Sequence, residues 1–129
     1  MSPLKPGAVL YAKNLVDVHG FYQNVIGLEP VTTEGDHAVL ESPFFQLVIL
    51  QAPETIASKI RIDSPPAPRS QTPIKLVFPV ESIAKARTVA TAWGGRFNSP
   101  DREWTFHDCR ICDGTDPEGN VVQLRQQAY

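Results

Sequence analysis

Few side chains in this sequence could carry out chemistry, and they lie far apart along the chain. Tyr11, Gln46, Lys75, Trp104, Gln123 and Arg125 are the candidates for holding a small molecule, provided the fold brings them to one surface. A phenol at Tyr11 offers a stacking face and one hydrogen bond, or else simply caps a cavity. Lys75 can meet an anionic group or extend to solvent. Gln123 reads as a hydrogen-bonding cavity residue, and Arg125 as a carboxylate or phosphate clamp with a rim ion pair as its plainer role. Trp104, with Phe106, Phe44 and Phe45, can line a cavity or a subunit seam, although such rings are more often core.

The conventional catalytic patterns are weak. His37 and Glu41 share a strand face and could form an acid–base couple. Positions four apart in a strand lie about 13 Å apart, too far for direct contact. His107 and Asp108 are adjacent, and neighbours in a strand face opposite ways; His19 borders a helix stripe and reads as a surface residue. Cys109 and Cys112 form a C-x-x-C pair in what reads as one strand, Thr105 to Cys112. Side chains three apart there point to opposite faces, and no second Cys/His pair exists for zinc. There is no Ser/His/Asp order, no glycine-rich phosphate loop and no basic-aromatic patch.

The chain has 129 residues, 42% hydrophobic and 20% charged, with a net charge of −2. That suits one compact domain and argues against nucleic acid or an anionic membrane as partner. No apolar run approaches the roughly 20 residues of a membrane span. The first residues lack a signal-peptide core, so a cytoplasmic protein is expected.

Residues 8–12 read as a strand. Asn14 then caps a helix with Asp17 at its third position, and Leu15, Val18, Tyr22, Val25 and Ile26 recur at helical spacing up to Gly27. Strands are expected at 30–34, 37–42 and 45–51. A crossover over 52–73 carries five prolines, with a short helix or strand near 55–62, and part of it could fold over a site. The pattern then repeats. A strand at 74–80 precedes a helix capped by Ser82, with Ile83, Ala86, Val89, Ala90 and Trp93 as its stripe and Gly94-Gly95 as its end. Strands follow at 96–98, 105–112 and 121–126. Asn14 and Ser82, like Gly27 and Gly95, lie 68 residues apart. The chain is therefore α+β, two tandem β-α-β-β-β modules over 7–51 and 74–127. The stretch Asp113 to Leu124 closes the second, with turn clusters at Asp113-Gly114 and Asp116 to Asn120 feeding a last strand.

Strand parity divides the side chains. Leu10, Leu47, Ile49, Leu76, Phe78, Val122 and Leu124 form an apolar face that must pack on the helices. Val9, Tyr11, Gln46, Val48, Lys75, Val77, Val121, Gln123 and Arg125 form a second face of mixed character. Such a face bounds a ligand cavity or a partner, or is simply solvated.

The run Asn14 to Pro30, with Phe21-Tyr22 and Gly27-Leu28, together with Asp116-Pro117-x-Gly119-Asn120, resembles the vicinal oxygen chelate superfamily: glyoxalase I, bleomycin-resistance proteins and extradiol dioxygenases. The resemblance covers residues 1–129 as a single domain, the crossover apart. It implies that the strands curl into a cup with the helices outside, and that the protein is a homodimer. Metal-dependent members carry His, Gln or Glu at cup positions that fall here on Gly7, Val48, Lys75 and Gln123. Of these only Gln123 can ligate. The expectation is therefore a binder of a small molecule with no metal and no cofactor, similar to the drug-sequestering resistance proteins. The alternatives are a metal-dependent lyase or isomerase of glyoxalase type, using a variant set of Gln123 with His37, Glu41 or His107, and a non-catalytic module whose mixed face serves only dimerisation.

Overall fold

A computed structural model of the chain describes residues 4–128. They form two compact units, one running up to Arg61 and one from Ile62 onward, so the boundary falls inside the proline-rich crossover. In the first unit, β1 (Gly7–Ala12) leads to α1 (Leu15–Phe21), which runs on as a π-helical turn over Tyr22–Ile26. Strands β2 (Glu29–Thr33), β3 (His37–Ser42) and β4 (Phe45–Gln51) follow, then a single helical turn, α2 (Glu54–Ala57). The sheet order is β1-β4-β3-β2, with β1 parallel to β4 and the remaining pairs antiparallel. Leu15, Val18, Phe21, Tyr22 and Val25 bury one helix face, and Ala38, Leu40, Leu47 and Ile49 bury the facing side of the sheet.

The second unit repeats the plan with one interruption. Strand β5 (Leu76–Pro79) leads to α3 (Ile83–Ala92). Then β6 (Arg96–Phe97), a 3-10 turn (Pro100–Arg102), β7 (Trp104–Phe106), β8 (Cys109–Thr115) and β9 (Val121–Gln127) complete the module. β5 is parallel to β9, β9 antiparallel to β8, and both β6 and β7 pair with β8, at its two ends. The counterpart of β2 is thus split in two by the 3-10 turn. Two mixed sheets result, with three α-helices and no closed barrel.

The repeat is visible in hydrogen bonds that occur once in each unit. The Asn14 side chain accepts from the Asp17 N–H at 3.3 Å, and the Ser82 hydroxyl accepts from the Lys85 N–H at 3.1 Å. Each helix also has its first N–H taken by a glutamine of its module's last strand. Gln51 Oε1 accepts from Leu15 N–H at 3.0 Å, and Gln126 Oε1 from Ile83 N–H at 2.7 Å. Helix N-termini leave such donors unpaired, so these two side chains tie helix to sheet.

Four expectations need correction. The left-handed glycine that ends α3 is Gly94, not Gly95; φ is +81° there and +89° at Gly27. The π-helical turn adds one residue to the first helix, which is why the spacing of 68 holds at the caps and fails at the ends. Residues 105–112 are not one strand but a hairpin. His107 and Asp108 turn it with φ of +47° and +60°, the two left-handed positions of a tight hairpin loop. Asp113-Gly114 is strand, not turn. A Cβ on Gly114 would lie 2.2 Å from a Phe97 ring carbon, so the glycine is there to let β6 come close. Finally, Val89 and Trp93 are largely exposed, and only Ile83, Ala86 and Ala90 of the α3 stripe are buried.

The second turn cluster holds. Asp116 is fully buried. Its Oδ1 accepts from the N–H groups of Glu118 (2.8 Å) and Asn120 (3.0 Å), and its Oδ2 from the Asn120 amide (2.8 Å). Gly119, at φ +83°, lies so close to the crossover that a Cβ would be 2.2 Å from the Ala67 carbonyl oxygen. Arg69 donates its N–H to Gly119 O at 2.8 Å and its Nε to Glu118 O at 3.0 Å. Asp116→Ala removes an ionised acceptor from three buried or part-buried donors, so it is expected to cost about 3 kcal/mol or more. Urea unfolding measures this; a loss no larger than that of an ordinary surface substitution would contradict it.

Candidate functional site

Parity places the mixed face as expected. Leu47, Ile49, Phe78, Val122 and Leu124 are buried towards the helices. On the opposite side, Tyr11 remains 64% exposed and Val9 and Val77 are open as well. What differs between the units is the chemistry on that face.

In the second unit the pairing sets Asp113 opposite Gln123, with Val77 next to Gln123 on β5. The neighbouring row is Trp104, Ile111 and Arg125. Hydrogen bonds join the polar members into a line. Lys75 Nζ donates to Asp113 Oδ2 at 2.8 Å, Gln123 Nε2 to Asp113 Oδ1 at 3.1 Å, and Arg125 Nε to Gln123 Oε1 at 2.9 Å. The Arg125 guanidinium carbon lies 5.6 Å from the centre of the Phe106 ring, in cation–π range. Gln123 is only 5% exposed, whereas Trp104 and Phe106 are 42% and 47% exposed. A buried amide thus holds Arg125 at one end and Asp113 at the other, Asp113 in turn holds Lys75, and two open aromatic rings flank the row. The row has two positive charges against one negative.

The structure therefore brings together Lys75, Gln123 and Arg125, with Trp104 two strands away across Ile111 in the Arg125 row. It adds two residues to them. Phe106 was among the aromatic candidates. Asp113, the acceptor at the centre, has the composition of a turn and lies in β8. Its place was recoverable, because Asp113 and Gln123 are equally far from Glu118, the middle of the reversal.

In the first unit the candidates do not converge. Gln46 pairs with Gly7 and Glu41, at the other end of the sheet from Tyr11, which pairs with Leu50. Gln46 Nε2 donates to Glu41 Oε2 at 2.8 Å, and Lys5 Nζ donates to Glu41 Oε1 at 2.7 Å and to Ser42 O at 2.9 Å. These bonds clip the β3–β4 hairpin to the segment before β1. The Lys5 ammonium first, then the Gln46 amide, holds the Glu41 carboxyl below its ordinary value of 4.5.

The histidines do not form a catalytic group. His37 Nδ1 is 2.8 Å from Asp36 Oδ1. His107 turns the β7–β8 hairpin with its ring edge-on to Phe106 at 4.2 Å. His19 departs from the surface reading, since its Nε2 is shut off from solvent without a hydrogen-bond partner among the described residues. Cys109 and Cys112 face opposite ways, as parity requires. Cys112 is fully buried, and burial pushes its thiol pKa up, away from nucleophilic reactivity.

No family model and no curated protein matches the sequence. Solved structures do match. A glyoxalase/bleomycin resistance protein/dioxygenase family enzyme from Burkholderia phytofirmans PsJN superposes with a TM-score of 0.69 at 18% identity, over 94% of this chain and 96% of the other. The fosfomycin resistance protein FosX from Listeria monocytogenes gives 0.65 at 15%, over 98% and 93%. The bleomycin resistance determinant encoded on the transposon Tn5 gives 0.61 at 13%, over 98% and 100%. The fold is that of the glyoxalase and bleomycin-resistance proteins.

Metal-dependent chemistry on this fold, as the sequence resemblance describes it, needs donors at Gly7, Val48, Lys75 and Gln123, and the residues present do not fit. A Cβ on Gly7 would lie 2.1 Å from the Gln46 carbonyl oxygen, so that position admits no side chain. Val48 is hydrocarbon. Lys75 is a cation paired with Asp113, and the Gln123 amide is engaged at both ends. Among the described residues no three His, Cys, Asp or Glu side chains cluster as a metal site would require. No helix among them is long and apolar enough to cross a membrane.

The Glu41 clip has a pH signature. A carboxyl with a depressed folded pKa contributes stability above its unfolded value, and that stability is lost as pH falls through the folded value. Lys5→Met is expected to raise the Glu41 pKa towards 4.5 and to shrink the acid-side loss of stability. Side-chain carboxyl NMR titration reads the first effect. An unchanged Glu41 pKa in the variant would contradict the assignment.

Proposed function

We propose that the protein binds a small molecule without metal, on the mixed face of its second module. One observation carries this reading: the continuous row Lys75–Asp113–Gln123–Arg125 on a sheet face left open, with Trp104 and Phe106 beside it. A fixed line of polar groups built on the buried Gln123, next to exposed rings, suits a flat aromatic molecule bearing a hydrogen-bond acceptor. The rings supply stacking area and Arg125 and Lys75 supply orientation. Tyr11 and Gln46 would act differently. Tyr11 is an open aromatic of the first module's mixed face, and Gln46 is spent on the Glu41 clip.

The two modules are taken as one domain, residues 1–129, and the active form as a homodimer. The exposed apolar residues of the mixed faces, Val9, Tyr11 and Val77, support a covering partner. The similarity to a bleomycin resistance determinant and to a fosfomycin resistance protein supports small-molecule binding as a class, and the ligand itself is left to experiment.

The test has two parts. Protein incubated with Zn²⁺, Ni²⁺, Mn²⁺ or Fe²⁺ and then desalted is expected to retain far less than one ion per chain by elemental mass spectrometry. A calorimetric screen of planar aromatic probes, 2-naphthoate and indole-3-acetate among them, is expected to give saturable binding that Arg125→Ala or Trp104→Ala weakens by about tenfold. Stoichiometric retained metal, or binding indifferent to both substitutions, would overturn the reading.

A further inference from the structure

The second unit also contains a groove of about 730 Å³, away from the aromatic rings. That lies within the roughly 300–1,000 Å³ usual for small-molecule sites. One wall is the crossover, through Pro66, Pro68 and Ser70. The other is β6 and the 3-10 turn after it, and strand residues Asp113, Thr115 and Val121 also line it. The groove belongs wholly to the residues from Ile62 onward, so one unit builds it.

Three guanidinium groups line the groove, and they are not equivalent. Arg87 is committed: its Nη2 pairs with Glu103, and its Nε donates to Asn98 O at 2.8 Å. The one lining carboxylate, Asp113, is likewise committed, to Lys75 and Gln123. The guanidinium groups of Arg96, on β6, and Arg102, on the 3-10 turn, make no hydrogen bond or ion pair among the described residues. The carboxylate nearest in sequence, Asp101, is taken by the Ser99 hydroxyl. Both cations therefore face the groove outside any ion pair, while the neighbouring Asp101 carboxylate acts on Arg102 only through its field. The Ser70 hydroxyl and the Asn98 amide, also on the lining, are not engaged by other side chains among the described residues.

The walls are held in place before any ligand arrives. Arg69 anchors the crossover to the carbonyls of Gly119 and Glu118, and Gly119 admits Ala67 only because it lacks a Cβ. Phe97, buried beside Gly114, fixes β6, and Asn98 N–H donates to Asp113 O at 3.0 Å. Prolines on both walls limit the freedom lost on binding. We propose that this groove binds the oxyanion group of a small molecule, a carboxylate or a phosphate, with Arg96 and Arg102 as its cationic partners and Ser70 and Asn98 as neutral donors. Guanidinium forks match the geometry of both anions. The proposal does not depend on the mixed-face reading: the two share only Asp113, which gives its carboxylate to that row and supplies no cation or donor here.

The experiment is an amide NMR titration of the full chain with inorganic phosphate and, separately, with succinate, at constant ionic strength. Saturable shifts are expected at the amides of residues 69–70, 96–99, 101–102 and 113–115 with at least one probe. Saturation by phosphate alone assigns the phosphate class, by succinate alone the carboxylate class, and by both their shared chemistry. Arg96→Gln/Arg102→Gln is expected to weaken binding by about tenfold or more while leaving the amide spectrum folded, since both side chains are exposed. Lys59→Gln/Arg61→Gln, which removes the same charge from exposed positions of the first unit, is expected to leave the midpoint unchanged. Shifts that saturate with neither probe, an unmoved midpoint in the Arg96/Arg102 variant, or an equal loss in the Lys59/Arg61 variant would each overturn the proposal.

Discussion

A carboxylate without contact to solvent, Asp116, decides where the chain reverses between β8 and β9. Ionised oxygen in a buried place is costly unless donors surround it, and the backbone N–H groups of Glu118 and Asn120 can do so only if the turn takes one shape. That shape sets the strand register. A slip of one residue would send Gln123 to the helix side and bring Val122 and Leu124 to the open side. The row from Lys75 to Arg125 exists because the register is right, and the crossover has a wall to rest on because Gly119 stands at the turn's corner.

The two modules share this framework and differ in what they place on it. Capping side chains and the strand-to-helix glutamines Gln51 and Gln126 occur in both. At the position where the second module carries Lys75, the first has Gly7, whose neighbour Gln46 O leaves no room for a side chain. The polar bonds of the first module lie at one edge, where Lys5 and Gln46 hold Glu41, while Val9 and Tyr11 stay open. The second concentrates charge, amide and aromatic groups together. Repetition supplies the scaffold, and departure from repetition supplies the chemistry.

Much of the scaffold could be read from the sequence, because its signals are local. Asn14 and Ser82 announce helix starts, and alternation in 46–50 and 121–125 separates the buried from the open face. The errors have two causes: at one place tertiary contact overrode a local signal, and at two others the local signal is absent. Asp113-Gly114 has the composition of a turn, yet Phe97 packing on the glycine makes it strand. His107-Asp108 lacks the glycine of a typical tight loop, so the hairpin there was hidden. The extra π-helical residue between Phe21 and Gly27 leaves no trace in hydrophobic spacing. Of the site, parity indicated Lys75, Gln123 and Arg125 on one face, but not that Asp113 joins them. The groove along β6 depends on where the crossover folds back, which is a contact between residues about 50 apart in sequence.

Gln123 and Arg125 are fixed in a row on an open face, and side-chain NMR of Arg125 tests this directly. The expected result is an Arg125 Nε–H signal protected from exchange, with cross-peaks to the Phe106 ring, that moves when an aromatic ligand binds. An Arg125 Nε–H that exchanges as freely as that of exposed Arg61 and shows no contact with Phe106 would contradict it.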